Sequence, residues 1–553
     1  MVELEPKVLE EVPVTSYSDH PTLPMRTGTW KYLQPRYEDR LPPCSDACPA
    51  GNDISKILAL LSSGDLEGAV QWLRAGNPFP ATLSRVCAHF CEQSCNRDSL
   101  GGALAIHLLE RFMGDQSPQD FSRMQSATGH KVGVVGAGPA GITSAYLLAR
   151  AGHEVHVFDD KPQAGGFLRT GIPGFRLPKD ILDKEIALVE SAGVRFHQNT
   201  RVGRDIDFEE LKSRFDAVIV AVGFHASRPL NVPGSRQTHV YHGIDLLERL
   251  AAGEKLCIPG TVAVLGGGNT AIDVARSLLR IGSTPVIVYR RTEAEMPAIS
   301  SEIEEAKAEG VAFHFLAAPS KIVQEGGRIV ALECHKMRLG EPDASGRRAP
   351  VPLPGSEFCL PVSGVVAAIG ETADLGFLPE NLRKHLDLTT RASLDGDFSG
   401  VFVAGDVATN SGTVAAAVGS GRQVAAMVDR YLRDAQPPIE NPALPSLWPR
   451  ALKHDQVADA QSLNPAYFVP RAHYQVHGAS QQTGVEWALG EARRCLGCGT
   501  CNSCLNCYHW CPDVAIQVDS AGSALGIDLE HCKGCGICVE ECPRGAMSMV
   551  EVG

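Results

Sequence analysis

Short apolar runs rich in valine alternate with longer amphipathic stretches through the middle of the chain, from Lys131 to about residue 432. Each apolar run ends close to a glycine, and the stretch after it carries apolar residues at helical spacing. Strands that alternate with helices in this way are typical of a parallel sheet covered by helices. The pattern therefore predicts an α/β nucleotide-binding region over this part of the chain.

Helical patterns precede this region, and polar, proline-rich sequence follows it. Residues 54–73 have the apolar spacing of a helix, within a predicted helical domain over residues 31–127. Residues 1–30 are predicted to form an extended arm, and the prolines after residue 436 predict a linker. The remaining predicted boundaries are 128–235 and 371–435 for a first nucleotide domain, 236–370 for a second domain inserted into it, 436–490 for the linker and 491–553 for a cysteine-rich tail.

A glycine motif marks the first predicted nucleotide site. The strand Lys131–Val135 opens into Gly-x-Gly-x-x-Gly at residues 136–141 and a helix that runs to Arg150. Such a turn lets the pyrophosphate of a dinucleotide approach the backbone. The next strand, Glu154–Phe158, is followed by Asp159, near the spacing of a carboxylate that binds an adenosine ribose hydroxyl. Strand, turn, helix and acid together predict a dinucleotide site, whereas the glycine motif alone would equally suit a flexible turn.

A second motif repeats this arrangement at residues 266–271. It lies between a strand over residues 262–265 and a helix that ends at Arg280, and the next strand ends in Arg290 and Arg291 rather than in an acid. A basic pair suits a nucleotide 2′-phosphate, whereas an acid would repel it. The motif therefore favours NADP(H) over NAD(H), with an ordinary surface arginine pair as the alternative.

Composition and charge narrow the class of protein. At 553 residues, with 44% hydrophobic and 21% charged residues, the chain is expected to form several domains. A net charge of -13 without a long basic run argues against nucleic acid or an anionic membrane as partner. No apolar window is long enough to cross a membrane, and the N-terminal residues lack the apolar core of a signal peptide. We therefore expect a cytoplasmic protein.

Cysteine spacing predicts metal centres. Fifteen of the eighteen cysteines fall in two groups near the chain ends, which in a long unexported chain indicates metal ligation rather than disulfides. The tail repeats the Cys-x2-Cys-x2-Cys-x3-Cys-Pro run of bacterial ferredoxins, in which the fourth cysteine of each run binds the other cluster. A zinc ribbon would need only paired Cys-x2-Cys, so the additional Cys-Pro ending of each run argues against this alternative. The predicted 4Fe-4S ligand sets are Cys501, Cys504, Cys507 and Cys542, and Cys532, Cys535, Cys538 and Cys511.

Further segments resemble the two-dinucleotide flavoproteins of the glutamate synthase small-subunit type. These are residues 165–166, 171–178, 289–297, 368–370 and 401–406, within a resemblance that covers roughly residues 35–435. It implies FAD in the first nucleotide domain and NAD(P)H in the second. The residues that it assigns to FAD are Gly136, Gly138, Pro139, Ala140, Gly141, Asp159, Gly166, Arg169, Val202, Gly223, Gly405, Asp406, Thr413 and Ala416. Those that it assigns to the nicotinamide nucleotide are Gly266, Gly268, Asn269, Thr270, Arg290, Arg291 and Gly370.

The same resemblance accounts for the other clustered cysteines. In the glutamate synthase small-subunit and dihydropyrimidine dehydrogenase families, a segment like residues 491–498 lies directly before the N-terminal Cys-x3-Cys-Pro run, whereas here it lies near the far end of the chain. The resemblance implies one 4Fe-4S cluster that joins the two termini and a second with a carboxylate where the related dehydrogenases use glutamine. The implied sets are Cys44, Cys95, Cys495 and Cys498, and Cys48, Cys87, Cys91 and Glu110, with a surface helix carboxylate as the alternative for Glu110.

Together these features predict an electron-transfer flavoprotein with two Rossmann-like domains, a helical 4Fe-4S domain and a ferredoxin domain. Electrons are expected to pass between NAD(P)H, FAD, the N-terminal clusters, the tail and an external partner, in either direction. No catalytic side chain is assigned, because hydride transfer is the chemistry of the cofactors themselves. We expect a subunit of a larger complex, such as a 2-oxoacid or aromatic-acid oxidoreductase, whose partners are other oxidoreductase subunits or ferredoxin. A free-standing NAD(P)H:ferredoxin oxidoreductase and a glutamate synthase small subunit are the alternatives.

Overall fold

The computed structural model describes residues 31–116, 125–343, 346–385, 399–433, 484–501, 503–519 and 524–552. The predicted arm at residues 1–30 and most of the predicted linker lie outside these ranges. Within them, no helix combines the length and the apolar character that a membrane span requires.

A small helical domain begins the described chain. Where one helix was predicted over residues 54–73, a turn at residues 63–65 separates two helices. The carboxylates of Asp53 and Asp65 each accept a backbone N–H at the start of one of these helices, which satisfies a donor that the helix itself leaves unpaired. The elements are β1 (Leu33–Tyr37), α1 (Pro43–Asp46), α2 (Ile54–Ser62), α3 (Leu66–Gly76), α4 (Pro80–Val86), α5 (Phe90–Gln93) and α6 (Ile106–Asp115), with a 3-10 turn at Asp98–Leu100.

Two nucleotide-binding domains follow, and the second is inserted into the first. The first half of the outer domain contains β2 (Lys131–Val135), α7 (Pro139–Arg150), β3 (Glu154–Phe158), α8 (Phe167–Thr170), α9 (Lys179–Ser191), β4 (Arg195–His197), α10 (Phe208–Arg214), β5 (Ala217–Val220) and β6 (Ala226–Ser227). The inserted domain contains β7 (Val240–His242), α11 (Gly243–Ala251), β8 (Thr261–Leu265), α12 (Asn269–Arg280), β9 (Thr284–Tyr289), a 3-10 turn (Glu293–Glu295), α13 (Ser300–Ala308), β10 (Ala312–Phe315), β11 (Ala317–Glu325), β12 (Arg328–Pro342), β13 (Arg348–Pro361) and β14 (Gly364–Ala367). The chain then returns through β15 (Glu371–Thr372), α14 (Glu380–His385), β16 (Val401–Val403), α15 (Asp406–Thr409) and α16 (Val414–Leu432).

Each nucleotide domain is built on a five-stranded parallel sheet. The outer sheet has the order β16-β5-β2-β3-β4 and the inserted sheet the order β10-β9-β8-β14-β7. The central strands β2 and β8 are buried apart from their first residues, as expected for strands covered by helices on both faces. Both glycine motifs follow a central strand at its carboxyl end, where open α/β sheets bind their ligands.

Two features of the nucleotide domains were not predicted. The strands β11, β12 and β13 form a separate antiparallel sheet with the order β11-β12-β13. The short strands β6 and β15 pair where the chain leaves the outer domain and returns to it. The inserted domain therefore carries an antiparallel sheet beside its parallel one.

The tail packs against the beginning of the described chain. It contains α17 (Val485–Arg493), α18 (Asn506–His509), β17 (Ile516–Val518), β18 (Ala524–Ile527), α19 (Ile537–Glu540) and β19 (Met547–Glu551). The strand β19 pairs antiparallel with β1 in the register Leu33 to Glu551. The helix α17 packs into the apolar core of the helical domain, where Ala488 and Ala492 are fully buried. Both ends of the described chain therefore form one structural unit.

Candidate cofactor and iron–sulfur sites

A cavity of about 590 Å³ opens at the carboxyl end of β2, beside the amino terminus of α7. Gly136 has φ +106°, and a Cβ there would lie 2.5 Å from the carbonyl oxygen of Ala221, so only glycine fits this position. Free backbone N–H groups at the start of a helix favour a phosphate. The predicted FAD residues that line the cavity are Gly136, Gly138, Pro139, Ala140, Asp159, Gly166, Gly223, Gly405, Asp406 and Thr413.

Asp159 holds the glycine turn and faces the cavity. Its carboxylate accepts hydrogen bonds from the backbone N–H of Ala137 at 2.6 Å and of Lys161 at 2.9 Å. Burial raises the pKa of Asp159, and the two backbone donors oppose that shift. Because each N–H occupies a different carboxylate oxygen, lone pairs remain for a ligand hydroxyl.

Four predicted FAD residues do not line this cavity. Val202 packs in the core beside Ile206, and Arg169 donates to the carboxylate of Asp183 and to a nearby carbonyl. The third glycine of the motif, Gly141, lies against the carbonyl of Gly136, where a Cβ would not fit. The fourth, Ala416, uses its backbone N–H to complete the cap at the start of α16. These four residues therefore lie behind the residues that line the cavity.

A second cavity, of about 840 Å³, opens at the carboxyl end of β8. Gly266 has φ +139°, and a Cβ there would lie 2.1 Å from the carbonyl oxygen of Ala368, which repeats the close approach at Gly136. Asn269 lines the first cavity instead, and its Oδ1 accepts from the backbone N–H of Ile299 at 3.0 Å. Thr270 lines both cavities, so they meet at the start of α12. The predicted nucleotide residues that line the second cavity are Gly266, Gly268, Thr270, Arg290, Arg291 and Gly370.

The two arginines after β9 differ in their surroundings. Arg291 is buried, donates from Nε to the carbonyl of Arg348 at 2.7 Å and forms an ion pair with Asp343. Arg290 is exposed where it lines the cavity. Arg347, which the sequence analysis did not single out, lines the same cavity. No local motif could have indicated Arg347, because only the hairpin of β12 and β13 brings it there.

The eight ferredoxin-type cysteines of the tail form two groups of neighbouring thiols. All eighteen cysteines lie in the described ranges, and none of them forms a disulfide. Burial and neighbouring thiols raise the pKa of Cys538 to about 12. The Sγ of Cys507 lies 3.3 Å from the hydroxyl of Tyr37 in β1. The structure brings together the two predicted sets, Cys501, Cys504, Cys507 and Cys542, and Cys511, Cys532, Cys535 and Cys538.

A third group of thiols joins the two ends of the chain. Burial raises the pKa of Cys44, and the nearby thiols of Cys495, Cys498 and Cys95 raise it further. Burial is also the largest cause that raises the pKa of Cys495, to about 11. The predicted set of four thiols therefore combines two cysteines of the helical domain with two that lie at least 400 positions later in the sequence.

A buried ion pair fixes the segment that carries Cys495 and Cys498. Glu491 and Arg494 form it at 2.7 Å, with both side chains almost fully buried. The same Glu491 oxygen accepts from the backbone N–H of Ala105 at 2.8 Å, and Arg494 donates to the carbonyls of Gly101 and Gly102. Each charge thus has partners in the helical domain, as a buried charge requires.

A fourth group lies between the helical domain and the first cavity. Cys48, Cys87, Cys91 and Glu110 line one small cavity. The carboxylate of Glu110 accepts from the Nδ2 of Asn52 at 2.9 Å, and burial raises its pKa to about 8. Glu110 is half-buried beside these thiols, and its role as a ligand stays a prediction.

The chemistry of these donors fits iron–sulfur clusters. Buried thiols that raise one another's pKa would repel as bare thiolates, so a positively charged iron core would stabilise them. Four such groups of four donors lie in the described part of the chain.

Two histidines without a sequence motif also lie at the first cavity. His225 lines it with its ring 4.3 Å from that of Phe167. His89 lines both this cavity and the one that contains Glu110, and burial lowers its pKa to about 4. Neither residue has a spacing in the sequence that would have indicated this position.

Three family profiles match the chain. The profile of pyridine nucleotide-disulphide oxidoreductases matches residues 130–421. The profile of dihydropyrimidine dehydrogenase domain II, 4Fe-4S cluster, matches residues 38–121, and that of the 4Fe-4S binding domain matches residues 525–548. These matches confirm the predicted fold class, with FAD- and NAD(P)-binding and iron–sulfur domains.

Several curated proteins are similar to this chain. The NADP(+)-dependent formate dehydrogenase subunit beta of Moorella thermoacetica is 39% identical over 433 residues, which is 72% of this chain and 61% of that subunit. The NADPH-Fe(3+) oxidoreductase subunit beta of Geobacter sulfurreducens is 34% identical over 510 residues, which is 82% of this chain and 75% of that subunit. The glutamate synthase (NADPH) small chain of Azospirillum brasilense is 34% identical over 433 residues, which is 72% of this chain and 88% of that protein. This chain thus spans less than two thirds of the formate dehydrogenase subunit.

Proposed function

Because the chain belongs to the pyridine nucleotide-disulphide oxidoreductase family, we propose that it is an electron-transfer subunit that exchanges electrons between NADPH and 4Fe-4S clusters by way of FAD. The observation that carries this proposal is the continuity of its cavities. The second cavity, which we call the nucleotide cavity, meets the first, which we call the FAD cavity, at Thr270. The FAD cavity meets the cavity that contains Cys48 and Cys91 at Cys87, His89 and Phe90. Such a sequence of sites suits the stepwise movement of electrons through one chain.

The side chains act by binding and orienting the groups that react. FAD, when bound, supplies the conversion between a two-electron hydride and the single electrons that 4Fe-4S clusters exchange. The starts of α7 and α12 present backbone N–H groups to the phosphates of the two dinucleotides. Asp159 orients the ribose of the FAD, and Arg290 lies at the corresponding place in the nucleotide cavity.

We propose that the nucleotide is NADPH and that Arg290 and Arg347 bind its 2′-phosphate. Both line the cavity, and Arg290 is exposed there, while Arg291 is buried beside Asp343. The names of the three relatives, each of which contains NADP or NADPH, agree with this choice. Arg290→Ala should lower kcat/KM for NADPH by about 10- to 100-fold and leave kcat/KM for NADH nearly unchanged. Equal losses with both nucleotides would contradict the assignment.

We further propose four 4Fe-4S clusters on the four donor groups described above. Electrons would then reach the tail through the cluster of Cys44, Cys95, Cys495 and Cys498, which lies where the helical domain and the tail meet. The exposed thiols of Cys501 and Cys535 make the tail the part of this path that is most open to a partner.

The partner that we propose is another oxidoreductase subunit, which carries the site for the final substrate. Two of the three relatives are named as beta subunits and the third as a small chain. Their names concern formate, Fe(3+) and glutamate, so the electron-transfer part is shared among relatives whose final substrates differ. A free-standing NADPH:ferredoxin oxidoreductase is the second candidate, and the surface exposure of the tail thiols also suits it.

Anaerobic reduction of the purified chain by NADPH tests the proposed function. Flavin bleaching in the visible spectrum should be followed by electron paramagnetic resonance signals of reduced clusters. Dithionite serves as the control that reduces the clusters without NADPH. A flavin that bleaches while no cluster signal develops, although dithionite produces one, would contradict the proposal.

A further inference from the structure

Residues 87–90 form a wall that the FAD cavity shares with the neighbouring thiol cavity. Cys87, His89 and Phe90 line both cavities. Cys87 belongs to the proposed ligand set on one side of the wall. His89 and Phe90 have aromatic side chains. Of these two, only His89 stacks on another ring in the part of the chain that the structure describes, that of His107.

A neighbouring pair of side chains fixes the ring of His89. The backbone of His89 is left-handed, with φ +55°, at the start of α5. Its ring stacks on that of His107, with centroids 3.8 Å apart and an angle of 16° between the planes. The Nδ1 of His107 lies 2.7 Å from Oε1 of Glu92. The same oxygen accepts a hydrogen bond from the backbone N–H of His107 at 2.9 Å. Glu92 thus orients His107, and His107 supports His89.

A bound metal ion is a poor explanation for these three side chains. Their ligand atoms do lie within 4.8 Å of one another. The lone pair of an imidazole nitrogen, however, lies in the plane of its ring. Two rings stacked almost parallel cannot both direct such lone pairs at one ion, and Glu92 already occupies the Nδ1 of His107.

We propose that His89 is a positioning residue that couples the FAD cavity to the cluster held by Cys48, Cys87, Cys91 and Glu110. This role rests on the proposed function, in which electrons pass from FAD to that cluster. Each NADPH supplies two electrons and leaves one proton. Two single-electron transfers across the wall to oxidised clusters, with release of that proton to solvent, therefore balance one turnover.

The packed ring explains why this place needs an aromatic side chain. The ring of His89 stacks on His107 and lies between the two cavities, so its packing limits the space there that water could occupy. An aliphatic side chain of similar volume would lose the stacking on His107 and would no longer be held in one orientation. The coupling, rather than either binding site, is therefore the property that a substitution of His89 should change.

Stopped-flow reduction of the holoprotein by NADPH tests this role. In His89→Leu, cluster reduction should slow by at least about tenfold while flavin reduction keeps its wild-type rate. His89→Phe, which keeps a ring that stacks on His107, should restore most of the rate. His335→Leu makes the same change on β12, away from both cavities, and should behave as wild type.

Three further readouts separate coupling from a structural role. In His89→Leu, iron content, the midpoint potentials of the clusters and their signals after dithionite reduction should all equal those of the wild type. Wild-type rates of cluster reduction in His89→Leu would overturn the inference and leave the proposed function intact. Loss of about four irons would also overturn it, because the ring would then hold the cluster rather than couple to it. A wild-type chain whose clusters NADPH does not reduce would overturn both.

Discussion

The two iron–sulfur regions differ in how their ligand sets are assembled. In the tail, eight cysteines between residues 501 and 542 supply both proposed clusters from one short segment. In the helical domain, five cysteines complete two sets only with a carboxylate and with two cysteines from the other end of the chain. The spacing of neighbouring cysteines therefore indicates both ligand sets of the tail, whereas the ligand sets of the helical domain depend on the tertiary structure.

This difference assigns a distinct role to the contacts between the chain ends. The pairing of β1 with β19 and the docking of α17 place Cys495 and Cys498 beside Cys44. A change in these contacts should affect the shared cluster and leave the tail clusters intact.

The largest effect is expected from Cys495→Ser. A serine hydroxyl is a poor iron ligand, so the chain should lose one cluster of about four irons and keep both ferredoxin-type signals. Iron analysis and electron paramagnetic resonance of the dithionite-reduced protein measure this. Cys359→Ser, at an exposed cysteine of β13, is the matched control and should keep all of its iron. Loss of a ferredoxin-type signal from Cys495→Ser would mean that the cysteine sets are wrongly divided.

A smaller change in iron binding is expected from substitution of the carboxylate ligand. Glu110→Ala removes the proposed fourth ligand of the set that contains Cys48, so its cluster should be lost or convert to a form with three irons. Glu110→Cys should retain four irons with an altered midpoint potential, because a thiolate replaces a carboxylate. Iron content and a redox titration of the signals distinguish the two variants. Unchanged iron and potentials in both variants would show that Glu110 is not a ligand.

The next effect concerns stability rather than iron ligation. Glu491→Ala removes the carboxylate that pairs with the buried Arg494, which keeps only the carbonyls of Gly101 and Gly102 as partners. The substitution should therefore destabilise the docking of α17 by about 3–5 kcal/mol. Hydrogen exchange of α17 and denaturant-induced loss of the shared cluster measure this. Glu486→Ala, at an exposed position of the same helix, should change both by much less. An equal effect of the two substitutions would show that the buried ion pair does not stabilise the docking of α17.

The smallest effect is expected within the tail itself. Val514 has φ +49°, a region that a β-branched residue rarely adopts, and Gly545 occupies the matching place in the second cysteine run with φ +62°. Because Val514 is 67% exposed, its side chain contributes little burial. Val514→Gly should therefore stabilise the tail by about 1 kcal/mol, measured by denaturant unfolding of the reduced protein. Gly545→Val should have the opposite sign, and a loss of stability in Val514→Gly would contradict the argument.

Much of the fold could be predicted because its signals are local. The strands Lys131–Val135 and Glu154–Phe158 were predicted with the bounds that the structure has, since each is a short apolar run that ends at a turn. The family resemblance and the oxidoreductase class are confirmed by the matches of the family profiles and relatives. The exact ligand sets and the domain boundaries stay predictions.

Other parts of the site could not be predicted because they depend on distant contacts. Arg347 reaches the nucleotide cavity only through the antiparallel hairpin. His89 lies at the wall of the FAD cavity only because the helical domain packs on the FAD domain. Val202 was assigned to FAD by resemblance, yet it packs in the core. Residue types and spacing identify a turn or a cluster motif, but they do not indicate which side chains from other elements will complete the site.

Iron, acid-labile sulfide and flavin per chain, measured on anaerobically purified protein, count the clusters and the flavin that the chain holds. We expect about sixteen irons, about sixteen sulfides and one FAD, because each of four 4Fe-4S clusters contains four irons. About eight irons with one FAD would contradict this expectation, since the tail alone would then hold clusters and the thiols shared between the chain ends would be structural.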